Sequence, residues 1–242
     1  MSMTLSRATL ASVLFDEMTV VEPFPAGVAA VPAMAPGTSF FPGGGGLWCE
    51  GESEIFPDVL VLGHDFSTKE EHDRFLLGTD RDIDSATWRE LIKLAKNAGL
   101  DLNRCFFTNA FMGLRTVGNS TAINPAHKNV DFRKINAAFL KQQIAIIRPK
   151  LIIVLGSKAP ILLSQVSDDL GCWRKFNFAE IDEAGLAFRR NVKLEAMNLI
   201  CVAILHTSFR GPNLRLRKYG DLTGNLAEVA LLQDALREVD AV

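Results

Sequence analysis

The chain reads as an α/β protein of three layers, α/β/α, around a central, mainly parallel four-stranded sheet. Three observations predict this. Four short, largely apolar runs stand apart along the chain: DVLVLG (58–63), RCFFTNAF (104–111), LIIVLG (151–156) and LICVAILH (199–206). Their β-branched and aromatic content suits strands buried on both faces. Helical patterns lie between them, and strands alternating with helices imply parallel neighbours covered on both sides.

Each element follows from local signals. DVLVLG ends in Gly63, where a strand gives way to a turn. Asp84-Ser85 offers caps for a helix that runs through Trp88 to Leu94 and closes at Gly99. Apolar residues at helical spacing fill 131–147, and Pro149 stops that helix. Residues 157–167 read as a further helix, and 222–239 as a last amphipathic one. Residues 172–198 are ambiguous, with 188–192 a candidate hairpin arm. The chain divides into an irregular, partly helical extension, 1–57, and an α/β domain, 58–242. Within the extension, Pro23 to Gly46 holds half of the ten prolines and the run Gly43-Gly44-Gly45-Gly46. That composition favours irregular chain wrapped on the surface. A phosphate-cradling loop is the sharper alternative, but no Lys-Ser/Thr pair follows the glycines.

Bulk composition excludes several classes. With 242 residues, 48% of them hydrophobic, the chain can bury one sizeable core. A net charge of -2 excludes a protein that coats DNA by overall charge, so a nucleic-acid surface must be a local patch. Cys49, Cys105, Cys172 and Cys201 form no CxxC pair, which argues against a zinc or clustered iron–sulfur site. Cys105 and Cys201 sit in apolar runs as small core residues, a usage that fits a reducing cytoplasm. No apolar run approaches the ~20 residues of a membrane-spanning helix. The opening MSMTLSRATLASVLF reads as an amphipathic segment rather than a signal peptide.

The polar residues at the strand ends are the functional signal. Gly63-His64-Asp65-Phe66-Ser67, Thr108-Asn109, Gly156-Ser157 and His206-Thr207-Ser208 each follow or finish a strand. In a parallel sheet these ends share one rim, where ligands bind. The ordered set resembles the uracil-DNA glycosylase superfamily. GHDFS resembles its water-activating motif, of which Gly-Gln-Asp-Pro-Tyr is one form. FFTNAF resembles the strand whose Asn reads the base. IRPKLIIVLGSKA resembles the stretch with Pro-Lys, an apolar strand and Gly-x-x-Ala, and LHTS the His-Pro-Ser motif. The match covers about residues 58–220 and leaves 1–57 outside. Phe66 and Thr207 replace prolines of the pattern. Ser67 stands where one branch has a tyrosine that blocks the thymine methyl, so exclusion of thymine stays open. The cysteines do not match the iron–sulfur branch, and neither cofactor nor metal is expected.

The resemblance implies a monofunctional glycosylase that hydrolyses the N-glycosidic bond of uracil in DNA, as in base excision repair. Such a reaction builds positive charge on the sugar while the base leaves as an anion. Asp65 is the candidate carboxylate for the sugar or the water, although a turn Asp would cap the next helix. His206 is the candidate donor to the base, although most lone histidines at strand ends are structural. Asn109 pairs a donor with an acceptor, which matches the O4 and N3–H edge of uracil. Phe75 is the first candidate to stack on a flipped base and Phe66 the second, against core packing as the ordinary fate of a Phe. Gly63, His64 and Ser208 complete the substrate-binding set. Arg210, Arg215, Arg217 and Lys218 suggest a phosphate-binding face, and Leu214 a wedge between bases. Arg115, Asn119 and Ser120 are placed on the other side. The expected partner is uracil-containing DNA, with no membrane, for a cytoplasmic monomer. The main alternative is a relative that binds nucleic acid or an abasic site with weak or no catalysis. An unrelated α/β enzyme for small nucleotides and a pure interaction protein are the other readings.

Overall fold

The computed structural model describes residues 6–48, 55–79, 81–119 and 122–241; Cys49 and Ser120 lie outside them. The elements in chain order are α1 (Arg7–Glu17), β1 (Val28–Ala29), β2 (Val59–Asp65), α2 (Lys69–Leu76), α3 (Ala86–Ala98), β3 (Cys105–Phe111) and β4 (Leu114–Arg115). They continue with α4 (Val130–Ile147), β5 (Leu151–Leu155), α5 (Ala159–Leu163), α6 (Phe178–Glu183), β6 (Phe188–Leu194) and β7 (Met197–Ile204). Last come α7 (Arg210–Asn213), β8 (Lys218–Tyr219), β9 (Leu222–Thr223) and α8 (Gly224–Asp240), with short 3-10 turns between.

The central sheet has the order β3-β2-β5-β7-β6. β3, β2, β5 and β7 run parallel, and these are the four strands expected. A fifth, β6, joins the edge antiparallel to β7. Its alternating burial hid it from a search for apolar runs, since one face of an edge strand meets water. Helices flank the sheet, so the three-layer α/β/α class holds.

Local signals explain the flanking helices. Ser85 caps α3 by accepting from the Trp88 N–H, and Gly99 ends it in the left-handed conformation at φ 78°. Trp88, Leu91, Leu94, Ala95 and Ala98 make its buried face. α4 starts on Asn129, which accepts from the Phe132 N–H. The expected helix at 157–167 shortens to α5, whose proline sits in the first turn where no N–H is required. No described helix is long and apolar enough to cross a membrane.

The segment before β2 departs most from expectation. Its glycine run is not wrapped on the surface: Phe40, Phe41, Pro42, Gly43 and Gly44 are all buried. The Phe41 N–H donates to Phe107 O at 2.9 Å and the Phe107 N–H to Gly46 O at 2.7 Å. Residues 41–47 therefore cover the β3 edge of the sheet, satisfying backbone groups that an edge strand exposes. Leu10, Leu14, Phe40 and Phe41 belong to the same core as the sheet. Burial of such side chains stabilises by about 1.5–3 kcal/mol each.

Candidate active site

The carboxyl ends of β2, β3, β5 and β7 open onto one cleft of about 1000 Å³. Parallel register brings them there: Gly63 pairs with Asn109, and Leu155 with Ile204, one residue short of the turns at Gly156 and Leu205-His206. Gly63, His64, Asp65, Phe66, Phe75, Asn109, His206 and Ser208, the whole catalytic and substrate-binding set expected from sequence, line this cleft.

Asp65 is enclosed, with a tenth of its side chain exposed. Its Oδ2 lies 3.4 Å from His64 Nδ1 and 3.4 Å from Arg115 Nε. Burial alone would raise its pKa, but the His64 contact and the Arg115 charge outweigh burial and hold it below the usual 3.8. The Asn124 amide also favours the ionised form. Asn124 is itself buried, with its Oδ1 fixed by the Ala126 N–H at 2.9 Å. Arg115 is buried and donates to the Ala122 carbonyl at 2.9 Å and to the Asn119 carbonyl, which ties the loop after β4 to the carboxylate. The turn-cap role for Asp65 does not arise, because Thr68 caps α2 by accepting from the Glu71 N–H.

Asn109 is held in one orientation. Its Nδ2 donates to the Phe41 carbonyl at 3.1 Å, which forbids the flipped amide. Its Oδ1 then lies over Gly63, where a Cβ would stand only 2.6 Å away. Glycine at 63 thus makes room for the amide, and the second Nδ2–H and Oδ1 remain as a donor and an acceptor side by side.

His206 is half-buried at the turn after β7. The Ser208 N–H donates to its Nδ1 at 3.3 Å, and Ser208 Oγ lies 2.8 Å from the same nitrogen. A backbone N–H can only donate, so Nδ1 accepts and the neutral ring carries its proton on Nε2. Burial lowers the pKa of His206, His64 adds to the lowering, and Asp65 opposes it, with a net shift below 6.5. Nearby, the ring of His127 stands 5.9 Å from that of His64. Burial, with the charges of His64, Lys158 and Arg133, pushes His127 down to about 4.

Both aromatic candidates reach the cleft. Phe66 meets Phe75 edge-on at 5.8 Å and His72 at 5.4 Å. The Phe66 ring also packs on Gly43, where a Cβ would clash at 2.1 Å. Phe66 is therefore braced from behind, and both rings are half-buried.

The basic face needs correction. Arg210 and Arg217 are buried at 3% and 1% exposure and are not free for phosphates. Arg210 Nε donates to Glu228 Oε2 at 2.7 Å, and Arg217 Nε to Asp182 Oδ2 at 2.7 Å. Arg217 also bonds Glu228 Oε1 at 2.5 Å, and the Leu205 N–H donates to that same oxygen at 2.7 Å. These two arginines anchor the loop after His206 to α8. Arg215 and Lys218 are exposed, and Leu214 is half-buried. Sequence alone could not separate them, because paired and solvated arginines look alike without their acids.

Several cleft residues were not singled out: Phe40, Lys158, Ile123 and Phe209 line it, and Asn124 supports Asp65 from behind. Phe209 stands directly beside His206, with rings 5.9 Å apart, and is half exposed. Its position three residues past the histidine was the available signal. Phe40 carried none, since it lies far outside the strand-end pattern.

Fold and cleft together define an α/β/α protein with a polar-lined cleft at the carboxyl edge of a mainly parallel sheet. Comparison adds no relative to this description: no protein-family model matches the chain, and no curated protein matches it.

Proposed function

We propose that this protein is a DNA glycosylase of the uracil-DNA glycosylase type, removing uracil and related deaminated bases by hydrolysis of the N-glycosidic bond. One observation carries the reading. An ionised carboxylate, an orientation-locked amide and a neutral imidazole with its proton on Nε2 meet in one cleft. Those are the three demands of the reaction: charge for the sugar, a reader for the base edge, and a donor for the leaving anion.

In this reading a base flipped into the cleft presents O4 and N3–H to Asn109, whose N–H and Oδ1 match that pattern. The bond between sugar C1′ and base N1 breaks, and its electron pair leaves with the base. Nε2–H of His206 donates to the oxygen on which that charge gathers. Asp65 faces the cationic sugar and takes up the proton lost as water adds to C1′. Ser67 brings no ring toward the base, so methyl exclusion falls to the rest of the pocket.

The test is incubation of the purified protein with a labelled strand holding one uracil, followed by alkali to break abasic sites. Strands with thymine and hypoxanthine run in parallel. Cleavage at uracil supports the glycosylase reading. Binding with no cleavage at any base leaves the non-catalytic alternative.

A further inference from the structure

The segment before β2 lies outside the motifs, yet its atoms form part of the cleft. Phe40 lines the cleft and is buried to 6% exposure, with its ring about 3.4 Å from where a Cβ on Gly63 would stand. Its ring is held by Trp88 at 5.4 Å and Phe107 at 5.5 Å. The next residue, Phe41, supplies the carbonyl that accepts from Asn109 Nδ2. Gly43 provides the flat backbone against which Phe66 packs. Gly46, at φ 67°, sits so close to β3 that a Cβ would meet Phe107 O at 2.8 Å. Farther back, His72 of α2 bonds the Ala33 carbonyl at 2.9 Å. Asn109 and Phe66 of the cleft thus depend on one strap, and Phe40 of the same strap lines the cleft itself.

We propose that residues 39–46 are a specificity-determining strap: Phe40 forms an apolar wall of the ligand pocket, and the Phe41 carbonyl fixes which way Asn109 presents its donor and acceptor. The identity of the ligand as a planar base rests on the glycosylase reading; the placement of the strap against the pocket does not. Phe40 offers a rigid ring, which an unsaturated planar ligand contacts better than a branched chain. The carbonyl acts at longer range. Without it the amide is free to turn, and uracil and cytosine edges would be accepted more equally. The glycines serve the same end, since any side chain at 43 or 46 drives the strap off Phe66 or off β3.

The experiment compares the full chain with Phe40→Leu and Gly46→Ala, each first checked for a cooperative thermal transition. Phe40→Leu keeps an apolar side chain of similar bulk, so a folded variant is expected even where Gly46→Ala fails. Two quantities are read: affinity for free uracil by calorimetry, and kcat and KM on strands with uracil or cytosine. Phe40→Leu is expected to weaken uracil binding, or raise KM, by about tenfold, with kcat within about twofold, the loss that one ring contact carries. Gly46→Ala is expected to narrow the preference for uracil over cytosine. Folded Phe40→Leu protein with unchanged affinity and KM overturns the strap's role, even if the wild type cleaves uracil. A wild type that binds uracil without cleaving it, with binding weakened by Phe40→Leu, supports the strap and removes the glycosylase reading. A wild type that neither binds nor cleaves overturns both.

Discussion

Asp65 sits among groups that all favour its charge: His64, Arg115 and Asn124. It therefore stays ionised far below neutral pH, as a stabiliser of a cationic sugar must. Asp65→Asn keeps the shape and removes the charge. Cleavage is expected to fall by about 10²-fold or more, with DNA binding retained; near-normal turnover would remove Asp65 from the chemistry. His206 gives a pH signature. Its pKa is lowered, so the neutral donor form persists as pH falls to 6.5 and is lost only below that. The acid limb of kcat/KM is expected below 6.5, and activity that instead rises as pH falls through that region would mean that the charged ring is the working form. Asn109→Asp replaces a donor by an acceptor while Phe41 O still faces it. Base preference is expected to shift away from uracil in a competition between uracil and cytosine strands, and an unchanged ratio would end the reader role.

At the scale of elements, the pairing of β2 with β3 makes the amide site. Gly63 opposes Asn109 in register, and its lack of a side chain leaves room for Oδ1. Gly63→Ala puts a methyl 2.6 Å from that oxygen. Uracil affinity is expected to drop more than thermal stability, and the reverse order would show that Gly63 serves packing alone. The turn carrying His206 is held by α8 through Glu228. This buried carboxylate receives the Leu205 N–H, Arg210 and Arg217. Removing its charge takes the close counter-ion from Arg210 and leaves Arg217 with Asp182. Glu228→Gln is expected to cost about 3 kcal/mol in a urea titration. A loss confined to DNA binding, with the urea midpoint unchanged, would restore these arginines to the surface face.

For the whole molecule, His72, His127 and His206 all have lowered pKa values, with burial as the first cause. An unfolded histidine takes its proton near 6.5, while the folded ones resist. Their contribution to stability is therefore full above 6.5 and declines as pH falls, for His127 down to about 4. The urea midpoint is expected to fall between pH 7.5 and pH 5, and His127→Gln is expected to flatten part of that slope. An equally steep slope in the variant would exclude His127 as a source. Charge at this scale also limits the DNA binding that the proposed function requires. With net charge -2 and Arg115, Arg210 and Arg217 internal, phosphate contacts in the proposed function would come from exposed side chains such as Arg215 and Lys158. Arg215→Ala is expected to weaken binding evenly across sequences and to lower the salt slope by about 1.

The parallel strands, and the rim where their polar ends meet, are legible in the chain alone. Hydrophobic periodicity is local, and parallel pairing puts every strand's carboxyl end on one side. The sequence also marked Asp65, Asn109 and His206, because each lies in or just past a strand in the chain. What lies beside them depends on the packing of the folded chain. The edge strand β6 mixes apolar with charged residues instead of forming an apolar run, so only its pairing with β7 identifies it. Arg210 and Arg217 were assigned to the surface because their acids, Asp182 and Glu228, are distant in sequence. The glycine run read as loose chain because its partner, the β3 edge, lies some sixty residues onward. Contacts between residues far apart in the chain leave no periodic trace in it, and those contacts set both the Phe40 wall of the cleft and the orientation of Asn109.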